Sequence, residues 1–198
     1  MILNNKEFIK WCYWELTEWT ILNKSNKDTN MIKEKAIIFE KEWWNNLSKQ
    51  VWNWNWTTTL CEWAVKELLI ELWYKNVKKS RKLQSSTSEK CYNPDFECDN
   101  FVWEVKWSNW TITWTAWEKI LWTPLKYSEV PKLYWKPLRI ITVWYQEWEA
   151  KNGFACWNLI SPSERGTEEL VQMLQLFSTL NIEYVWFTDL LKELSNKK

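Results

Sequence analysis

The alternation of apolar and polar residues predicts helices over the first third of the chain. The segments 5–22 and 30–50 carry moderate amphipathic patterns of helical period, separated by a polar linker. A loop over 51–56 follows, and Thr57 opens a run of three threonines that are N-cap candidates for a helix ending near Leu72. Apolar residues recur at every fourth position along that helix, so we expect one of its faces to be buried.

Strands and helices alternate in the rest of the chain. The predicted elements are a short strand over 76–79, a hairpin over 94–106, a helix from about 117 to 127, a strand over 138–143, a helix over 168–180, a strand over 182–187 and a helical tail over 190–194. The strand over 138–143 is β-branched and largely apolar, which indicates a central position in the sheet. This order predicts an α/β (α+β) fold with a mixed central β-sheet flanked by helices.

Length and composition narrow the class of protein. A chain of 198 residues suits a single domain over 1–198, with a helical extension over 1–50 and a core over 51–198. The net charge of +1 gives no overall basicity that would indicate nucleic acid, although a cleft can still concentrate charge. The chain has no histidine, which excludes Ser-His-Asp hydrolases, Cys-His proteases and nucleases with histidine-bound metal.

The cysteines and the N-terminus predict a cellular compartment. Five cysteines, an odd number without any Cys-x-x-Cys pair, are typical of a reducing environment and offer no zinc site. The N-terminal residues lack the apolar stretch of a signal peptide, and no run of about 18 apolar residues indicates a membrane span. We expect a cytoplasmic protein that does not contact a membrane.

The segment 94–106 predicts a β-hairpin with Asp99-Asn100 as its loop, because this dipeptide tolerates the positive φ values of tight turns. A two-residue loop sets the register, which pairs Cys98 with Phe101, Glu97 with Val102, Phe96 with Trp103 and Asp95 with Glu104. Residues two apart on a strand share a face, so Lys106 lies beside Glu104.

This register places two carboxylates opposite each other, and their repulsion costs stability unless a cation neutralises it. Mg²⁺ is a suitable cation, since it uses one or two carboxylates together with waters and phosphate. The adjacent Lys106 can orient or help deprotonate a water molecule, or stabilise charge on a phosphate. An exposed hairpin with scattered charges is the alternative, and the Pro94-Asp95 pair in register with Glu104 favours the metal site.

Pro94-Asp95 followed by Glu104-x-Lys106 resembles the motif of the PD-(D/E)xK nuclease superfamily, which implies a restriction-endonuclease-like core. The resemblance implies Mg²⁺-dependent cleavage of phosphodiester bonds, usually of DNA, with Asp95 and Glu104 as metal ligands and Lys106 serving the attacking water. Members of the superfamily often place a further glutamate on the helix before the hairpin, which implies a catalytic and metal-binding role for Glu62. An ordinary solvated helix glutamate is an equally good interpretation of Glu62.

A longer stretch, roughly 50–150, is similar to one group of type II restriction endonucleases. The matching motifs are Trp-Thr-Ile-Thr-Trp-Thr-Ala-Trp-Glu-Lys at 110–119, Lys-Tyr at 126–127, Trp-Lys-Pro-Leu at 135–138 and Tyr-Gln-Glu at 145–147. The chain departs from that group where tryptophan stands in place of an expected glycine.

Tryptophan and glycine have unusual frequencies in this chain. There are 21 Trp and 2 Gly, whereas an average glycine usage of about 7% would give roughly 14 glycines. Trp73 ends a helical run and Trp135 precedes a strand, both positions that favour glycine. Our hypothesis is that UGA codons read as glycine in the source lineage are translated here as tryptophan. A genuine Trp-rich binding surface is the alternative, and UGG codons at these positions would establish it.

Three further features are candidates for DNA contact. The basic, Ser-rich segment 78–88 can meet phosphates, although such segments are more often solvated loops. Lys119 stands in the first turn of the helix after 107–115, where free N–H groups favour an anion. Gln146 follows the strand over 138–143, and ligands bind at the carboxyl ends of parallel strands in open α/β sheets.

The expected function is that of a Mg²⁺-dependent endonuclease that cuts double-stranded DNA at a short site, as type II restriction enzymes do. Cutting a palindrome would call for a two-fold homodimer, and restriction would call for a companion methyltransferase. Two alternatives remain open. One is a repair, recombination or transposition nuclease of the same fold, and the other is a non-catalytic Trp-rich nucleic-acid-binding module.

Overall fold

The computed structural model describes residues 56–108, 116–144, 146–147, 150 and 168–196. The helices predicted over 5–22 and 30–50, and the extension they would form, lie outside the described residues. The described part is a mixed α+β structure, and none of its helices is long and apolar enough to cross a membrane.

Five helices and seven strands make up the described part. The helices are α1 (Trp56–Glu71), α2 (Ala116–Lys126), α3 (Val130–Tyr134), α4 (Glu168–Thr179) and α5 (Phe187–Asn196). The strands are β1 (Lys78–Lys79), β2 (Leu83–Gln84), β3 (Cys91–Tyr92), β4 (Phe96–Glu97), β5 (Val102–Ser108), β6 (Leu138–Trp144) and β7 (Ile182–Trp186). The predicted helices and strands within these ranges are confirmed to within a few residues at their ends, whereas α3, β2 and β3 were not predicted.

Five strands form one sheet in the order β1-β4-β5-β6-β7. The first three strands are antiparallel, while β5, β6 and β7 run parallel to one another. Strand β6 therefore has a neighbour on each side, and five of its residues, over 138–143, are fully or almost fully buried. The interior position predicted from the apolar density of this strand is confirmed.

Helices cover both faces of the sheet. Trp103 and Val105 of β5 point to one face, where they pack in a core with α1 and α5. Val102 of the same strand packs on the other face, with residues of α3 and α4. Since side chains alternate along a strand, Glu104 and Lys106 belong to the face of Val102.

The predicted hairpin register is confirmed. Phe96 pairs with Trp103 and Glu97 with Val102, and the N–H of Cys98 donates to the carbonyl of Phe101 at 2.9 Å. The turn itself differs from the expectation, because neither Asp99 nor Asn100 has a positive φ.

The turn is held from outside the hairpin. The N–H of Asp99 donates to the carbonyl of Lys75 at 3.1 Å, and its carboxylate accepts a bond from Asn76 at 2.8 Å. Asn76 is the residue that takes up a positive φ, of 58°. The segment after α1, rather than the conformation of the loop dipeptide, therefore fixes this turn.

The basic segment 78–88 is more ordered than a loop. It begins with β1 and contains β2, which pairs with β3 in a separate two-stranded sheet. The tip of this small hairpin is tied to the start of α3, because Ser85 Oγ donates to Glu129 Oε2 at 2.7 Å. Composition indicated the charge of this segment but not the pairing that folds it back.

Candidate active site

Asp95 and Glu104 are brought together at the open end of the β4–β5 hairpin. Asp95 lies one residue before β4 and takes no part in the pairing of β4 with β5. Its carboxylate nevertheless reaches across to β5. Its Oδ2 accepts a hydrogen bond from the N–H of Val105 at 2.7 Å. This bond holds the Asp95 side chain beside Glu104, as the register predicts.

The Glu104 carboxylate is only 4% exposed, and its two oxygens differ. Oε1 accepts a hydrogen bond from the ammonium group of Lys106. Oε2 is buried and has no hydrogen-bond partner among the described residues. A buried carboxylate oxygen without a donor is costly, so this atom is a candidate ligand for a cation or a water molecule.

The charge of Asp95 is opposed by its surroundings. Burial, and next to it the negative charge of Glu104, raise the pKa of Asp95 to about 7. The carboxylate of Glu62 adds to this increase, while the Val105 N–H and Lys106 counteract it. The negative charges of Asp95, Glu104 and Glu62 therefore act on one another, as they would around a cation site.

Glu62 projects from α1 and is half-buried, with 19% of its side chain exposed. Its carboxylate is ion-paired with the ammonium group of Lys79, which also lies 4.9 Å from the centre of the Phe96 ring. Among the described residues, no three His, Cys, Asp or Glu side chains are grouped closely enough to hold a metal ion. The negative charge of Glu62 thus helps to raise the pKa of Asp95. In this structure the Glu62 carboxylate is also ion-paired with Lys79.

Tyr127 is a member of the site that sequence reasoning did not single out. The residue follows α2, is buried, and turns its hydroxyl towards the Glu104 carboxylate. Burial, followed by the negative charge of Glu104, raises the pKa of Tyr127, so its hydroxyl stays protonated. In the sequence, Tyr127 is marked by the Lys-Tyr motif at 126–127, which by itself assigns the residue no role.

The remaining predicted contacts are placed as follows. Lys119 lies in the first turn of α2, and its side chain is outside the described residues. Gln146 follows β6 as predicted, but its side chain is completely buried. Lys78 and Arg81 of the basic segment form ion pairs with the buried Glu97, at 3.3 and 3.1 Å. These two cations therefore already share one carboxylate within the fold.

The donor set suits a hard cation such as Mg²⁺. Asp95 and Glu104 offer carboxylate oxygens, of which Glu104 Oε2 is buried without a donor. Mg²⁺ commonly takes one or two protein carboxylates and fills its other positions with water and phosphate oxygens. Two carboxylates with a third acidic residue nearby therefore fit this ion, even though the described residues contain no closed group of three ligands.

Comparison with protein-family models, with curated proteins and with solved structures finds no match to this chain.

Proposed function

We propose that the protein is a Mg²⁺-dependent endonuclease that hydrolyses phosphodiester bonds of double-stranded DNA, as type II restriction enzymes do. The observation that carries the proposal is that Asp95 and Lys106 lie beside Glu104, whose buried Oε2 has no donor among the described residues. The pKa of Asp95, raised to about 7, supports it, because a bound divalent cation would relieve the repulsion that causes the shift.

Each residue has a role that follows from its position. Asp95 and Glu104 would hold the Mg²⁺ ion, which when bound stabilises the negative charge that develops on the phosphate and on the leaving oxygen. Lys106 carries three N–H donors beside these carboxylates, so it orients the attacking water and offsets phosphate charge. Val105 N–H fixes Asp95, and the neutral Tyr127 hydroxyl limits the movement of Glu104.

The test is cleavage of plasmid DNA by protein from a gene in which Trp73, Trp135 and the other glycine-like positions encode glycine. We expect discrete fragments with Mg²⁺ and none with EDTA. Lys106→Ala should lower the rate by about 10²–10⁴-fold, the range for a group that assists proton transfer. Lys192→Ala is the matched control, since Lys192 lies in α5 and pairs with the exposed Asp189.

The outcomes separate the candidate functions. Discrete fragments would support site-specific restriction, whereas preferential cleavage of branched or nicked DNA would favour a repair, recombination or transposition nuclease. Folded protein that cleaves neither substrate would overturn the proposal and leave the nucleic-acid-binding module. Two-fold assembly, which cutting of a palindrome requires, is checked by sedimentation of the protein with and without DNA.

A further inference from the structure

Three lysine ammonium groups lie close to the rings of two neighbouring tyrosines, next to the candidate active site. The ring centres of Tyr92 and Tyr127 are 6.1 Å apart. Lys106 Nζ lies 6.0 Å and Lys126 Nζ 4.9 Å from the Tyr127 ring centre, and Lys90 Nζ lies 4.6 Å from that of Tyr92. We call Lys106, Lys126 and Lys90 the lysine row.

The lysine row joins three separate elements. Lys106 belongs to β5, Lys126 ends α2, and Lys90 precedes β3 of the small hairpin. A hydrogen bond of 3.1 Å from Lys90 Nζ to the carbonyl of Lys126 connects the last two elements. The row therefore begins at the Glu104 carboxylate and continues away from it towards the small hairpin.

The outer lysines differ from the other cations near the site. Lys78 and Arg81 are bound to the buried carboxylate of Glu97, and Lys79 is bound to the half-buried carboxylate of Glu62. In contrast, Lys90 and Lys126 are exposed and form no ion pair with any carboxylate in the described part of the chain.

Glu129, which is bonded to Tyr92 of this surface, does not neutralise the two outer lysines. Glu129 is engaged by hydroxyl groups instead, accepting bonds from Ser85 at 2.7 Å and from Tyr92 at 3.4 Å. Lys126 also lies in the last turn of α2, where a cation favours the helix dipole. That effect accounts for one lysine at this place but not for the other two.

We propose that the lysine row, supported by the rings of Tyr92 and Tyr127, binds the phosphodiester backbone of a DNA strand and leads it to Glu104. The inference rests on the proposed function, because it names the surface by which that site would hold its substrate. An ammonium group close to an aromatic face is attracted by the electrons of the ring. Neutralising several backbone phosphates releases condensed counterions, so the contribution of each lysine is visible in the salt dependence of binding.

The experiment measures binding of a fluorescein-labelled 20-base-pair duplex by fluorescence anisotropy, with Ca²⁺ in place of Mg²⁺, over a range of NaCl concentrations. The variant is Lys90→Ala with Lys126→Ala. The matched control is Lys75→Ala with Lys132→Ala, two exposed lysines at the other end of the strands, beside Asp99 and Pro137. A third protein, Lys90→Arg with Lys126→Arg, keeps the charge, and circular dichroism checks that all variants are folded.

We expect the slope of log K against log [NaCl] to fall in magnitude by about 2 for the alanine variant, since each phosphate contact contributes roughly 0.9. Its affinity should fall roughly ten- to a hundredfold at about 0.1 M salt. The control and the arginine variant should keep the slope and affinity of the unchanged protein.

The proposed role of the lysine row in DNA binding would be overturned by either of two results. One is equal slopes of log K against log [NaCl] for the two alanine double variants, and the other is no binding of the duplex by the unchanged protein. Failure of the proposed function looks different. In that case the unchanged protein would bind DNA through Lys90 and Lys126 but would not cleave it with Mg²⁺.

Discussion

Asp95 is a carboxyl group whose environment opposes its charge. Its ordinary pKa of 3.8 rises to about 7 in the folded protein, first through burial and next through Glu104. Between about pH 4 and pH 7 Asp95 therefore binds more protons in the folded protein than in the unfolded chain, and its contribution to the free energy of unfolding falls as the pH rises. The contribution of Asp95 to stability is complete below the ordinary pKa and is lost as the pH passes the raised one.

Substituting Asp95→Asn should consequently stabilise the protein at alkaline pH. We expect the free energy of unfolding to increase by on the order of 2 kcal/mol at pH 8, with no gain below about pH 4. Urea denaturation in EDTA at several pH values measures this difference. Asp189→Asn, at an exposed carboxylate of α5, serves as the control. An equal gain in the free energy of unfolding at pH 4 and at pH 8 would contradict the raised pKa of Asp95.

At the scale of elements, the ends of two helices stand out. Trp73, the second residue after α1, has a φ of 68°, and Trp135, which caps α3, has a φ of 57°. Both side chains are highly exposed, 79% and 92% respectively. The left-handed region costs an ordinary residue roughly 1–2 kcal/mol, whereas glycine enters it freely and ends helices in this way. These helix ends have the geometry of glycine caps.

We therefore predict that Trp73→Gly and Trp135→Gly each raise the free energy of unfolding by about 0.5–1 kcal/mol, since relief of left-handed strain exceeds the entropy that glycine costs. Thermal unfolding followed by circular dichroism measures the change. Trp122→Gly is the control, because Trp122 is also exposed, at 64%, but lies within α2. It should lose about 0.5–1 kcal/mol. Destabilisation by all three substitutions would exclude the glycine interpretation.

The residues after β6 have a different role from the expected one. Tyr-Gln-Glu at 145–147 was expected to contribute to the site through Gln146. Instead, the buried Glu147 accepts hydrogen bonds from the N–H of Thr188, at 3.0 Å, and from its hydroxyl. Thr188 is in the first turn of α5, so Glu147 satisfies a free N–H of that helix. The position of this motif was predicted correctly, and Glu147 has a structural role within it.

At the scale of the whole molecule, the candidate site joins elements from distant parts of the described chain. Glu62 comes from α1, Lys79 from β1, Asp95 and Glu104 from the hairpin, and Tyr127 from the end of α2. A cation held between Asp95 and Glu104 would therefore bind the folded protein and not the unfolded chain. Binding of this kind adds to stability in proportion to the logarithm of the ligand concentration.

Mg²⁺ should accordingly raise the melting temperature at pH 8. At 100 times its dissociation constant, the ion would add about 2.7 kcal/mol to the free energy of unfolding. We expect Asp95→Asn and Glu104→Gln to abolish this increase, while Glu89→Gln, at an exposed glutamate of the small hairpin, should retain it. Calorimetric scans with Mg²⁺ and with EDTA make the comparison. If the melting temperature still rises with Mg²⁺ in both site variants, the ion binds at another place on the protein.

The sequence by itself determined the features that depend on neighbours along the chain. The hairpin register follows from a two-residue loop and a period of two, which placed Asp95 opposite Glu104 and Lys106 on the same face. The helix patterns, the interior strand β6 and the position of Trp73 at a helix end were predicted for the same reason. For Trp135 the sequence predicted a turn before a strand, but not the helix α3 that ends there.

Only the tertiary structure decided the partners and the electrostatics. Glu62 pairs with Lys79, the buried Glu97 takes up Lys78 and Arg81, and Tyr127 arrives at Glu104 from another helix. The pKa of Asp95 depends on burial and on carboxylates that are remote in sequence or reach it across the hairpin. Such effects follow from distance and solvent exclusion, which are properties of the packed sheet and helices rather than of any local pattern.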